Sequence, residues 1–317
     1  MKKYAISLGI LTFILAILGY IYVILHQSNP FPPMINKNIV LKENIFEKGK
    51  KIAMLESNAL TEASGLVMSR ANHNFFWTHN DSGGKPEIYL FDKNGLHWAT
   101  FKVPAFARDW EEIKIGAGPQ ANKNYIYVGD IGDNQGKYDI KKIYRFVEPN
   151  LHTISRGYRG YIPKIDSLRF RYPNNAKRDS EAFIPDPITK DIYIITKREK
   201  PKVMVFKWKY PQSTQKIEIV ELIAELPCFK IVAGDISVDG QEIILKDYDN
   251  VYYWKRNEKE DLDKTFKRLP VRLPYFSEPQ GEALAFSTDK SEGYFTLSES
   301  TKYKPEQFFY YYSKINK

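Results

Sequence analysis

Short runs rich in aromatic and β-branched side chains, separated by polar turns, recur along the chain after residue 50. Runs of this length and composition predict strands, and the polar breaks predict hairpin turns. The runs fall into five groups. Each group opens with small or acidic residues that lead into an apolar strand start: TEASGLV from Thr61, RDWEEI from Arg108, DSEAFI from Asp179, GDISV from Gly234 and QGEALAF from Gln280. A second strand follows in each group: FFWTH from Phe75, YIYVG from Tyr125, IYIIT from Ile192, EIILK from Glu242 and GYFTL from Gly293. A third is aromatic: IYLF from Ile88, IYRF from Ile143, VMVFKW from Val203, VYYW from Val251 and FFYYY from Phe308. A fourth tends to end at proline, as in ATFKVP, LRFRYP, LIAELP and KRLPVRLP.

The markers Glu62, Glu111, Glu181, Asp235 and Glu282 recur at intervals of 49, 70, 54 and 47 residues. Propeller blades repeat at about 40–50 residues, so the long interval requires an insertion, placed at the Gly- and Tyr-rich Tyr158–Pro163 segment. The fold class expected is all-β: a β-propeller of five four-stranded blades, with six as the alternative count. The last group shows three strands, and Lys51-Ile52-Ala53-Met54-Leu55 is the candidate for its fourth. Pairing the two ends of the chain in this way closes the ring and removes an open sheet edge.

Residues Tyr4 to Leu25 contrast with everything that follows: 22 residues without a formal charge. About 20 suffice to span a bilayer core. Lys2 and Lys3 precede the stretch, and Lys37 is the next charged residue after it. The positive-inside rule then puts the N-terminus in the cytoplasm and the body outside. The expected organisation is a cytoplasmic tip and transmembrane signal anchor over 1–27, a Pro-containing spacer over 28–49 and the propeller over 50–317. The expected location is the cell membrane, single-pass, with the body periplasmic or extracellular. A cleavable signal peptide is the competing reading, but its apolar part is normally shorter and ends in a small-x-small site. Either reading exports the body.

Composition adjusts this picture in two places. A net charge of +9 could point to nucleic acid, but the lysines are scattered, and pairs such as Lys141-Lys142 sit among aromatic strand residues. They read as a solvated strand face, so no nucleic-acid binding is expected. The one cysteine, Cys228, excludes internal disulfides and four-Cys metal sites and reads as a buried, inert thiol.

Candidate chemistry follows from the topology. First strands line the channel of a propeller, so the acidic markers at their starts should ring one mouth. The second strands end on the same face, in polar loops at His79–Gly84, Gly129–Asn134, Lys246–Asn250 and Ser298–Ser300. Candidate rim ligands are therefore His79, Asn80, Asp81, Asp130, Asp133, Asn134, Asp247 and Glu299. Carboxylates crowded on one axis repel, and a cation, basic partners or protonation relieves them. Oxygen ligands without Cys or His favour Ca2+ over zinc. Alternatively, each acid accepts hydrogen bonds from the next blade's backbone and locks the ring. Candidate metal ligands are Ser64, Glu111, Glu181, Asp235 and Glu282; candidate catalytic bases are Glu111, Glu181 and His79. Two functions fit this pattern. One is a membrane-anchored propeller that binds an extracytoplasmic ligand or protein at its rim. The other is a Ca2+-dependent phosphoanhydride or phosphoester hydrolase, in which Arg108, Arg178, Lys197 and Lys246 would orient phosphate.

The strings SGLVMSRANHNFFWTHNDSGG, IYVGDIGDN, DSEAFIPDPITKDIYIITK, GDISVDGQEIILKDYDNVYYW and EPQGEALAF together resemble uncharacterised bacterial exported β-propeller proteins. The first-strand motifs are also similar to those of the soluble calcium-activated nucleotidases, or apyrases. That resemblance implies five blades around a central Ca2+ held by Ser and Glu side chains. Ser64, Glu111, Glu181 and Glu282 match its motif positions, whereas Asp235 stands near a family Ser. The long Trp- and Arg-rich loops of that family are mostly absent from this sequence.

Overall fold

The computed structural model describes residues 36–56, 59–152, 155–289, 292–300 and 306–315. The expected span Tyr4–Leu25 and the prolines that follow it lie outside the described residues. Among the described residues, no helix is long and apolar enough to cross a membrane.

The body is an all-β, five-bladed propeller. The first blade runs outward from the axis through Ala63–Met68, Phe75–Asn80, Glu87–Asp92 and His97–Lys102. The second runs through Trp110–Ala117, Asn124–Asp130, Ile140–Val147 and Asp166–Arg171. The third is Ser180–Pro185, Ile192–Thr196, Val203–Trp208 and Glu221–Leu226. The fourth is Ala233–Ile236, Glu242–Lys246, Val251–Lys255 and Val271–Leu273. The fifth takes Ala283–Phe286, Gly293–Leu297 and Phe308–Ser313 from the end of the chain and Lys50–Met54 from its beginning. Lys50–Met54 pairs antiparallel to Phe308–Ser313, as the closure argument expects. The five inner strands are neighbours in sequence order, and the fifth returns to the first.

The insertion in the long repeat is an added strand. Tyr158–Tyr161 leaves the second blade and pairs parallel to the outer strand of the first. Ile217–Ile219 does the same from the third blade to the second. Each covers an outer edge that would otherwise offer unpaired backbone groups.

Aromatic and branched side chains fill the spaces between blades, and each of five buried clusters joins two neighbours. Trp77, Trp110 and Trp208 are fully buried within them. Cys228 is buried between the third and fourth blades, and burial pushes its thiol pKa up, as suits an inert core residue. Chain ahead of Lys50 also packs on this body. Phe46 is buried between the fourth and fifth blades, and the Lys42 and Glu47 amides donate to Arg272 O and Ser313 O, each at 2.8 Å.

Candidate functional site

Local strand irregularities decide which acids face one another at the channel mouth. The inner strands of the second and third blades each carry a β-bulge, where the register slips between Trp110 and Glu112 and between Ser180 and Ala182. The extra residues are Glu111 and Glu181. A bulge turns its extra side chain out of the regular alternation and re-aims it. Glu282 immediately precedes the fifth inner strand, which pairs without a slip. Carboxylate oxygens of Glu111, Glu181 and Glu282 all lie within 4.8 Å of one another. In the first blade the bulge residue is Gly65, with φ +71, so no carboxylate is offered there.

Two further triads overlap this one on the same distance criterion: Asp81, Asp109 and Glu111, and Asp81, Glu282 and Glu299. Together they form one acidic basin. Gly132 allows part of it, since a Cβ there would run into Glu111 Oε1 and Asp109 Oδ2. The Lys197 ammonium donates to Glu181 Oε1 and lies 3.7 Å from Glu282 Oε1. Tyr248 donates to that same Glu282 oxygen, and Gln280 Nε2 donates to Glu299 Oε2 at 3.1 Å. Glu181 Oε2 is buried and has no hydrogen-bond partner among the described residues.

The electrostatics follow from crowding. Burial raises the Glu111 pKa well above its ordinary value, and Glu181, Asp81, Asp109 and Glu282 add to the rise. Burial and then Glu282 raise Glu181, against the pull of Lys197. Burial and then Glu282 push Glu299 up to about 10. Asp81 is pushed up to about 7, by burial first, with Glu282 and Asp109 adding to it against the Ser82 amide. Burial lowers the Lys197 pKa, but Glu181, Glu282 and Tyr248 outweigh it, so the ammonium stays charged.

The other two expected metal ligands, Ser64 and Asp235, make backbone contacts between blades. Asp235 is within its strand, not at a bulge. It points deeper, where Oδ1 accepts from Ile236 N at 2.9 Å and Oδ2 from Phe286 N of the next blade at 2.7 Å. Ser64 donates its hydroxyl to Glu111 O at 2.8 Å, joining the first blade to the second. Both contacts are the blade-locking alternative. Glu112 behaves likewise: Oε2 accepts from Gly234 N at 3.2 Å, and Oε1 lies 3.2 Å from Lys114 Nζ. Lys114 also donates to Leu66 O at 2.8 Å and Leu284 O at 2.7 Å, tying three blades together.

Of the expected rim residues, Asp81 and Glu299 belong to the basin. His79 is buried in its strand against Trp110, with Nδ1 2.8 Å from Asn80 O; burial pushes its pKa down to about 4. Asn80 Oδ1 accepts the Thr61 and Glu62 amides and shapes the loop before the first inner strand. Asp130 accepts from Asp109 N and pairs with Arg108, Asp133 accepts two amides and pairs with Lys141, and Asp247 closes its own turn on Asn250 and Tyr252. Asn134 is exposed and accepts from Arg198. Among the other cations, Arg178 pairs with Glu199 at 2.7 Å and Lys246 donates to Gly281 O. Asp109 and Tyr248 were not expected in the basin. Asp109 lies two residues before the marker Glu111, within the same segment, and that is its only sequence signal; Tyr248 looks like any turn residue.

No protein-family model matches the chain, and no curated protein does. What the structure shares with the family resemblance is the five-bladed propeller.

Proposed function

We propose that this chain is a membrane-anchored, extracytoplasmic propeller whose axial basin binds a divalent cation, Ca2+ by its ligand chemistry, and whose rim binds an anionic ligand or a protein. The observation that carries the reading is Glu181: a buried carboxylate with one orphaned oxygen, facing Glu111 and Glu282. A buried acid oxygen without a partner is costly unless a proton or a cation meets it. All the donors are hard oxygens, which suits Ca2+ or a similar ion. Glu111, Glu181 and Glu282 would hold it, with Asp81 and Glu299 toward the mouth. When bound, the ion would supply positive charge and polarise an oxygen placed against it. Around the basin, the exposed segments Ser82–Gly83 and Asn134–Tyr138 offer a surface for a larger ligand. The anchor rests on the uncharged run from Tyr4 to Leu25.

A calorimetric titration of Ca2+ into the cation-stripped protein tests the reading, beside an E111Q/E282Q double variant. Binding that the variant loses is the expected result. Equal binding in both, or none in either, would remove the axial site.

One observation favours the hydrolase as a second reading. Asp81, with its pKa pushed up to about 7, is suited to exchange protons near neutral pH. It would act beside Glu111. A Ca2+-dependent release of phosphate from nucleoside di- or triphosphates that D81N lacks would support it; no release at any pH from 5 to 9 would sink it.

A further inference from the structure

Lys197 directly follows the second strand of the third blade and reaches back over the basin. Its ammonium donates to Glu181 Oε1 and to the Tyr248 oxygen at 3.2 Å, and it lies 3.7 Å from Glu282 Oε1. The side chain is 7% exposed. Among the described residues it is the only cation ion-paired to the axial acids, through Glu181 and Glu282. The neighbouring Arg198 is committed to Asp179 and Asn134.

We propose that Lys197 is a built-in counter-cation: it holds the axial carboxylates while no divalent ion is there, and a divalent ion binds by taking Glu181 and Glu282 from it. The proposal rests on the cation-binding reading above. It follows from crowding: a hard cation bound to these carboxylates needs oxygens at about 2.3–2.6 Å, so an ammonium on the same oxygens is a like charge a few ångströms away. A lysine can yield, because its charge rides on a flexible four-carbon stem. The place it yields to is already present. The Tyr248 hydroxyl is within hydrogen-bond reach, and its ring centroid is 5.5 Å from the ammonium. Lys197 therefore weakens the site and makes its occupancy reversible, so the propeller responds to cation concentration instead of staying permanently loaded.

The test is a calorimetric Ca2+ titration of the cation-stripped full-length protein in detergent, with wild type, K197M and K197R side by side. K197M should bind roughly ten-fold more tightly than wild type, and K197R, which keeps the charge, should stay close to wild type. K197Q keeps an N–H donor for Glu181 without the charge; it should move in the same direction as K197M and serves if the methionine prevents folding. Wild-type binding that K197M and K197Q leave unchanged or weaken would overturn the counter-cation and leave the cation site standing. Absence of binding in all the proteins would overturn both.

Discussion

The channel holds two layers of acids, and they differ in company. In the deep layer, the largest influence on Glu112 and on Asp235 after burial is Lys114, which lowers the pKa, and the backbone amides of Gly234, Phe286 and Ile236 help it. In the mouth layer, the largest influence on Glu111 after burial is Glu181, and on Glu181 and Glu299 it is Glu282; these raise the pKa. Burial is common to both layers. The difference is that donors dominate around the deep acids, whereas the mouth acids meet Lys197, Tyr248 and Gln280 but also crowd one another. An acid whose oxygens are already met by N–H groups and an ammonium serves the ring. An acid met by another acid is available for something else.

The largest effect that separates the layers is expected at the bottom. K114M takes the ammonium away from Glu112 and from two carbonyls in the interior, and removing one partner of a buried pair costs about 3–5 kcal/mol. Thermal unfolding measures it, and Ca2+ should not relieve the loss beyond its effect on wild type. A small loss would mean that the deep layer is not the lock described here.

At the mouth, E111Q/E282Q removes charge instead of a partner. Without cation the variant should be as stable as wild type or more so at pH 8. At a Ca2+ concentration of about a hundred times the wild-type Kd it should lack the ~2.7 kcal/mol of stabilisation that wild type gains. Melting curves with and without Ca2+ check both halves.

A pH series sharpens the comparison further. A carboxyl with a raised pKa in the folded state holds its proton more tightly there than in the unfolded chain. Its contribution is lost as pH rises toward the folded pKa. Above pH 7, where His79 with its depressed pKa adds nothing, the cation-free protein should lose stability up to about pH 10, chiefly through Glu299. Saturating Ca2+ should flatten that loss, except for the part due to Glu112, whose pKa is pushed up to about 8 in the deep layer. A stability that rises from pH 7 to 9.5 without cation would contradict the crowded mouth.

The smallest effect is at Gly132. G132A places a methyl group against Glu111 and Asp109. It should weaken Ca2+ binding by about 1 kcal/mol, the low end of the cost of one extra methyl in a packed site, while the deep layer and the fold stay intact. Calorimetry and the melting temperature read the two parts separately.

Much of the fold is legible in the sequence, because the five groups repeat the same strand order and the last lacks its fourth strand. Lys50–Met54 supplies that strand where the closure argument places it. The insertion was visible as excess length at Tyr158–Pro163, but its pairing to a different blade depends on three-dimensional neighbours that no local pattern encodes. The site is legible only in part, and the reason is register. A one-residue slip changes the face a strand residue presents. Glu111 and Glu181 reach the mouth because each occupies a bulge, whereas Asp235 aligns with them in sequence but lies in an unslipped strand and turns downward. Asp133 and Asp247 look like ligands in a string of Asp, Asn and Gly, yet their oxygens are spent on their own turns. Lys197 and Tyr248 come from different blades, and only folding brings them to the same glutamates.

The most direct test of the central claim is anomalous diffraction from crystals of the protein soaked in Mn2+, which replaces Ca2+ at oxygen sites and scatters strongly. The account predicts a peak enclosed by Glu111, Glu181 and Glu282, with Lys197 moved off Glu181 toward Tyr248 and nothing beside Glu112 and Asp235. A mouth without a peak at saturating Mn2+, or a peak in the deep layer, would contradict it.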